Sequence, residues 1–280
     1  MTQELIQIDN NDMQDFAELL GVGDTSGPEL LPVVRITTKS KDAQGRKIER
    51  GMLYLRSENM EPVYAEKMKI RPLSCVFNYS HWDSIKGANV NSTIQSPSFK
   101  SEFRDRNGTL KCGRPDDYYK RSDEEKEKWK GIKCNRIIRA ICTYSGKDAD
   151  GNEVTIENKP VIIYNKSSNF QQFENQYLKI LPKNKKLYDY WVEIEVAHQD
   201  NGGLEYYTME YKPEFKTPVA MDALTYDTLK VIVDMIKANN ASINKSYANA
   251  IQEQAMSGGA IDAIADAETS SLSELEKDLV

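Results

Sequence analysis

The chain of 280 residues has no long hydrophobic run, because no stretch reaches even a dozen consecutive apolar residues. A membrane-spanning helix needs about 20 of them, and the N-terminus is acidic where a secretory signal would be basic. We therefore expect a protein without a membrane partner that stays in the cytoplasm. Its 39% hydrophobic content is still enough for one core with extensions.

Cysteine and histidine are scarce. The chain has four cysteines and two histidines, which are Cys75, Cys112, Cys134, Cys142, His81 and His198. Without an export signal such cysteines remain reduced, and none of them forms the closely spaced pair that structural zinc usually takes. We predict no disulfide, no metal site and no cofactor.

Catalytic signatures are also missing. There is no phosphate-binding G-x-x-x-x-G-K-[ST], no dinucleotide-binding G-x-G-x-x-G and no nucleophile motif G-x-S-x-G. A loose similarity to metal-dependent nucleases comes from clustered carboxylates with a lysine. The residues concerned are Asp116, Asp117, Glu193, Glu195, Glu210 and Lys212. Because Glu193 and Glu195 fall on the polar face of an alternating strand, we predict a non-enzyme and keep a nuclease or recombination mediator as a third interpretation.

Charge is strongly partitioned along the chain. Residues 1–30 have seven carboxylates and no Lys or Arg, a charge of −7, and residues 257–280 have a charge of −5. Since the whole chain is −6, residues 31–256 are +6, with sixteen basic and eight acidic residues between Leu31 and Arg114. A cationic middle between two anionic arms is typical of a polyanion-binding protein that has its own charge mimics.

Alternating apolar and polar residues predict strands through most of the middle. We expect strands over 31–37, 48–56, 68–79, 132–144 and 154–164, and a hairpin that joins 187–198 to 204–212. Asp-Gly-Asn at 150–152 and Asp-Asn-Gly-Gly at 200–203 supply the turns. The fold class is therefore α+β and mostly β: an OB-like antiparallel barrel or curved sheet with peripheral helices and a long C-terminal helix.

Helical signals lie between and after the strands. Ser122 and Glu125 form a capping box, Ser168 and Gln171 open a helix over 170–181, and 225–256 reads as a long helix or helix pair with a break at Asn239-Asn240. These signals divide the chain into an acidic N-terminal arm with a short helix (1–30), a β-rich core (31–220), a helical region (221–256) and an acidic, largely disordered tail (257–280).

Basic and aromatic residues alternate on the predicted strand faces and in the loops of the cationic part. Charged groups neutralise phosphates and flat rings stack on unpaired bases, so this mixture favours single-stranded nucleic acid. The alternative for each strand is an ordinary solvated face or, for the rings, the core. The candidate nucleic-acid-binding residues are Arg50, Tyr54, Arg56, Lys69, Arg71, Trp82, Lys100, Phe103, Arg104, Arg106, Lys111 and Arg114.

In plan, the chain resembles bacteriophage single-stranded-DNA-binding proteins of the replication type. The resemblance rests on the basic, aromatic β core, the segment 103–114 and the acidic tail 273–280, and it leaves the N-terminal arm unexplained. It implies that the tail competes with DNA and recruits replication or recombination proteins. The tail residues so implicated are Asp262, Asp266, Glu274, Glu276 and Asp278. The family usually ends its tail with an aromatic residue, whereas this chain ends in Leu279-Val280.

Two functions from different classes are therefore favoured over the third interpretation. The first is sequence-tolerant single-stranded DNA binding in phage DNA replication or recombination, in the host cytoplasm, with the tail regulating access to the DNA. The alternative is a non-enzymatic structural or assembly protein of the virion or scaffold kind. Both are compatible with a homo-oligomer.

Overall fold

The computed structural model describes residues 31–42, 44–57, 60–98, 103–108, 118–127 and 129–256. In this part of the chain eight strands form one sheet that curls into a half-barrel, and a long helix follows at the C-terminal end. The strands are β1 (Val33–Ile36), β2 (Leu53–Arg56), β3 (Lys67–Asp83), β4 (Ala88–Ser92), β5 (Ile132–Lys147), β6 (Glu153–Asn165), β7 (Val192–Asn201) and β8 (Leu204–Pro213). The prediction of a mostly β protein with a curved sheet is confirmed.

The strand order is β2-β1-β6-β5-β3-β7-β8, and β4 pairs with the end of β3. Most neighbours are antiparallel, but β1 lies parallel to β6 through the pair Val33 and Ile162. The two predicted hairpins are present as β5–β6 and β7–β8. In the second turn the Asp200 side chain accepts a bond from the Gly203 amide at 3.0 Å, and both glycines have positive φ.

Two predicted strands begin five residues later than the sequence pattern indicates. The segment before Leu53 makes a turn at Gly51, where φ is +81°, so β2 holds four residues. Residues Leu187–Asp189 form a 3-10 turn, so the strand of the second hairpin begins at Val192.

The main core lies inside the curl. Strand residues at alternate positions, such as Val34, Leu55, Ile138 and Ile163, are buried there. Phe173 from helix α2 (Gln172–Gln176) is buried in the same core, with its ring centre 5.1 Å from that of Tyr211 on β8. This surface is called the inner face below, and the opposite surface of the same strands is called the outer face.

The two ends of the sheet approach each other. A side chain at Gly51, just before β2, would lie 2.8 Å from the ring of Tyr207 on β8. The guanidinium of Arg50 lies 5.8 Å from the centre of the same ring. The absence of a side chain at Gly51 therefore permits the close approach that curls the sheet.

Helix α3 (Ala223–Met256) packs on the outer face over β3 and β5. Its Ile232 contacts Leu73 and Ile141 in a second, smaller core. The predicted break at Asn239-Asn240 is wrong, because the helix is continuous there. The Asn240 side-chain amide instead accepts a hydrogen bond from the Gln95 backbone N–H at 2.7 Å and donates one to the Gln95 C=O at 2.9 Å. These two bonds attach α3 to the segment that follows β4.

The remaining predicted helices are short. Ser122 and Glu125 form the expected capping box, with backbone-to-side-chain bonds of 3.1 and 3.3 Å, at the start of α1 (Asp123–Glu127). The predicted helix over 170–181 consists of α2 followed by a 3-10 turn at Leu178–Ile180. In the described ranges, none of these helices is long and apolar enough to cross a membrane.

Candidate nucleic-acid interface

The outer face of β2, β1, β6 and β5 is where the candidate interface lies. Side chains alternate between the two faces of a strand, and residues paired across strands share a face. Because Val34 and Leu55 point into the main core, their neighbours Arg35 and Tyr54 point outward as a directly opposed pair. Arg56 is also on the outer face and is diagonal to Arg35.

Two lysines extend this surface across the sheet. Lys133 is on the outer face of β5, opposite Ser80 of β3. Lys166 follows the last residue of β6, and the charges that act on it are those of Arg35 and Lys133. We call Arg56, Arg35, Lys166 and Lys133 the cationic row. With strands about 4.8 Å apart, it spans roughly 14 Å from β2 to β5.

The electrostatic surroundings of Lys166 are unfavourable in the free protein. Lys166 is exposed, but desolvation by the protein around it, followed by the positive charges of Arg35 and Lys133, lowers its pKa from the ordinary value. The Nε of Arg35 is buried without a hydrogen-bond partner. Within the described ranges, no carboxylate forms an ion pair with any of the four cations. Such a group of like charges is stabilised by an added anion.

Aromatic rings flank the cationic row. Tyr54 is directly opposite Arg35 on one side, and the parallel register of β1 with β6 places Tyr164 on the other side. Both rings are partly exposed. Trp82 comes two residues after Ser80, the partner of Lys133, and is 49% exposed. Charges for a phosphate backbone and ring faces for bases therefore occur together on one surface.

Tyr54, Arg56 and Trp82 are the sequence candidates that the structure brings together on this surface. Arg50 lies elsewhere, beside Tyr207 and 3.9 Å from a carboxylate oxygen of Glu205.

Lys69 is exposed on the other half of β3, with its ammonium 5.6 Å from the centre of the Trp191 ring. At about 3.3 Å per residue, it lies roughly 40 Å along the strand from Trp82. The predicted residues therefore do not form a single groove.

Arg104 and Arg106 form a separate basic site next to β4. The guanidinium of Arg104 lies 5.9 Å from the centre of the Tyr247 ring on α3. Arg106 donates from Nε to the Ser92 hydroxyl at 3.3 Å. Both are partly exposed, so they can still contact a ligand that follows the β3–β4 edge.

Arg71 and Phe103 have structural roles, and their burial contradicts the prediction that they are displayed to a ligand. Arg71 donates to Tyr188 O at 2.8 Å, Thr225 Oγ1 at 2.8 Å and the carbonyls of Val219 and Ala220. It therefore fastens the start of α3 to the sheet. The Phe103 ring packs edge-on against Tyr79, with 5.2 Å between the ring centres.

Several predicted residues lie outside the described residues. These are Lys100, Lys111 and Arg114 of the proposed binding set, and the tail carboxylates Asp262, Asp266, Glu274, Glu276 and Asp278. Cys112, Asp116 and Asp117 are in the same position.

Sequence reasoning missed Arg35, Lys133, Lys166 and Tyr164. The first two alternate with apolar residues inside predicted strands, so the period-two pattern marks them as outward-facing. Their proximity has no sequence signal, because they come from strands far apart in the chain. Only the pairing of β1 with β6 and of β6 with β5 brings them to one surface.

The carboxylates on the second hairpin form a ladder of ion pairs. Glu195 pairs with Lys212, and Glu193 lies 3.2 Å from the ammonium of Lys67. The hydrogen bond from Lys212 lowers the pKa of Glu195. Within the described ranges, no three His, Cys, Asp or Glu residues are close enough together to hold a metal ion.

Cys75 and Cys142 are free thiols. Cys142 is buried in the main core, and burial raises the pKa of its thiol to about 12. At neutral pH it is a small apolar side chain and a poor metal ligand, because metals bind the thiolate.

Comparisons with known proteins give no relative: no family model, no curated protein and no solved structure matches the chain.

Proposed function

We propose that this protein binds single-stranded DNA without marked sequence preference, through the outer face of β2, β1, β6 and β5. The observation that carries the proposal is the cationic row, four like charges with no carboxylate partner in the described ranges, flanked by Tyr54 and Tyr164. Phosphates supply the missing negative charge, and the tyrosines offer ring faces to unpaired bases.

The rest of the proposal follows the resemblance in plan. The curled sheet serves as an OB-like platform, the protein has no catalytic activity, and it protects DNA during phage replication or recombination in the host cytoplasm. The acidic tail at 257–280, with a charge of −5, competes with DNA for the cationic surface and recruits replication or recombination proteins.

The direct test is fluorescence anisotropy with a labelled oligothymidylate at low salt. We expect submicromolar binding that weakens as salt rises, and tighter binding after removal of residues 257–280. Changing Arg35, Arg56, Lys133 and Lys166 together to Gln should abolish it.

The control removes the same charge elsewhere. Lys179, Lys183, Lys185 and Lys186 are exposed around the segment after α2, and their change to Gln should leave most of the affinity. Undetectable binding by the tail-deleted protein at low salt refutes the proposal. Equal losses in the two quadruple variants refute the assigned surface. A parallel titration with oligouridylate measures the preference for DNA over RNA.

A structural or assembly protein is the second candidate, and one observation favours it: α3 leaves apolar residues exposed on its solvent side. Sedimentation with and without oligonucleotide separates the two functions. An assembly protein forms large closed or filamentous particles by itself, whereas a DNA-binding protein forms higher oligomers only along DNA.

A further inference from the structure

The solvent side of α3 has exposed apolar residues on both flanks. Tyr226, Val231 and Val233 are 54%, 56% and 41% exposed, and Leu224 is exposed as well. Single exposed apolar residues are common, but several of them on one helix are typical of an interaction surface. A shallow groove runs along Tyr226, Leu229 and Val233.

Charged residues occupy the middle of this surface. Each residue of a helix is rotated by about 100° from the last, so Lys230 and Asp234 both lie about 160° from Ile232, which is buried against the sheet. Asp227 and Lys237 lie about 140° from it. Within the described ranges, none of the four forms an ion pair. The Lys230 ammonium instead lies 5.4 Å from the centre of the Tyr226 ring.

These charges are antisymmetric about Ile232. Two positions before it is a lysine and two after it an aspartate; five positions before it is an aspartate and five after it a lysine. An antiparallel second copy of the helix, centred at the same height, places Lys230 opposite Asp234 of the second copy and Asp227 opposite its Lys237. The two edges of this interface are formed by Val231 and Val233, which lie one position on either side of Ile232. A two-fold interface requires this kind of self-complementarity.

We propose that α3 is a homodimer interface, in which two copies of the chain pair their helices antiparallel about Ile232. The contacting face from Leu224 to Lys237 is about 20 Å long. Because this is small for a stable protein interface, we expect a dimer that dissociates in the micromolar range. The interface lies on α3 and not on the cationic row, so it does not depend on the proposed DNA binding.

Sedimentation equilibrium of the full chain without nucleic acid, across the micromolar range, tests the proposal. We expect a concentration-dependent dimer whose dissociation constant rises at least about tenfold in Val233→Asp, which places a charge in the apolar flank. The matched control is Ile85→Asp at the turn between β3 and β4. Ile85 is 96% exposed and lies at the opposite end of β3 from Arg71, which holds the start of α3, so its change should leave the dimer intact.

A charge swap keeps the test independent of folding defects. Lys230→Glu alone should weaken the dimer, since it opposes an aspartate of the second copy, and the double change Lys230→Glu with Asp234→Lys should restore it. A chain that stays monomeric throughout the range overturns the proposal. If the full chain is a monomer and dimerises only after removal of residues 1–30, the proposal is also overturned, because the occupant of the face in the full chain is then its own N-terminal arm. A dimer that Val233→Asp leaves unchanged overturns it too.

Discussion

Neutralising Lys166 should weaken DNA binding and stabilise the free protein at the same time. In the free protein, desolvation by the surrounding protein and the positive charges of Arg35 and Lys133 lower the pKa of its ammonium. Lys166→Gln removes one positive charge from this repulsive group and keeps a polar side chain of similar length. The same change removes one phosphate contact from the proposed interface.

The size of the binding effect follows from counterion release. Each phosphate contact with a single strand contributes about −0.7 to the slope of log affinity against log salt, so the four residues of the cationic row give about −2.8. Affinity should then fall about 50-fold between roughly 50 and 200 mM salt. Without the phosphate contact of Lys166 the slope is about −2.1 and the fall about 20-fold, and at roughly 50 mM salt the variant should bind about eightfold more weakly.

The assay is an anisotropy titration of labelled oligothymidylate at four salt concentrations, with thermal unfolding of the same samples without DNA. Lys179→Gln is the control, because Lys179 is exposed in the 3-10 turn at Leu178–Ile180, whose Leu178 packs against the main core and not on the outer face. We expect Lys166→Gln to lower the salt slope and to raise the melting temperature, and the control to change neither by much.

Some results would refute this reasoning. If Lys166→Gln keeps the wild-type salt slope, Lys166 does not contact phosphate. If it lowers the melting temperature, the repulsion inferred from its surroundings does not destabilise the fold. If Lys179→Gln lowers the slope equally, binding responds to net charge and not to the cationic row.

Four further outcomes are expected. Because the pKa of Lys166 is lowered in the folded protein, the free protein should become more stable as pH rises from that lowered value toward the ordinary lysine value. DNA affinity should fall over the same pH range, because Lys166 loses its charge. Lys166→Arg should remove both trends, which are measured by thermal unfolding and by anisotropy at alkaline pH. Arg71→Ala should destabilise the protein by about 3 kcal/mol in urea unfolding, since buried acceptors lose their donor, and a change within about 0.5 kcal/mol argues against the fastening role. Asn240→Ala should lower the free energy of unfolding in urea by about 1–2 kcal/mol, because the hydrogen bonds to Gln95 are lost. The same change at the exposed Asn249 should lower it by under about 0.5 kcal/mol. Gly51→Ala should lower the free energy of unfolding by more than about 1 kcal/mol, because φ at Gly51 is +81° and the added carbon would lie 2.8 Å from the Tyr207 ring. Gly45→Ala, also at positive φ but in open space, should lower it less.

Local features of the fold were predictable because their causes are local. The glycine-containing turns at 150–152 and 200–203, the Ser122–Glu125 capping box and the alternation of Val34, Arg35 and Ile36 each depend on residues within a few positions. Predictions from longer sequence patterns were wrong where a contact with a distant residue determined the backbone conformation. The turn at Gly51 fits against Tyr207, and the Asn239-Asn240 pair stays helical because Asn240 bonds to Gln95.

The candidate interface was only partly predictable for the same reason. Alternation places Tyr54 and Arg56 outward, and it places Lys69 and Arg71 outward on β3 as well. Arg71 is nevertheless buried, since the start of α3 and the preceding segment cover it and accept its hydrogen bonds. Periodicity assigns a side chain to a face, but the packing of other elements decides whether that face meets solvent.

The sequence by itself therefore determined the partition of charge, the strand-rich middle and the direction in which most strand residues point, because these depend on composition and on short-range geometry. The tertiary structure alone decided which cations meet. Arg35, Lys133 and Lys166 are separated by 98 and 33 positions in the chain, and they come together only because β1 pairs parallel with β6 and β6 pairs with β5. That pairing depends on burial of the inner face as a whole, which no short segment encodes.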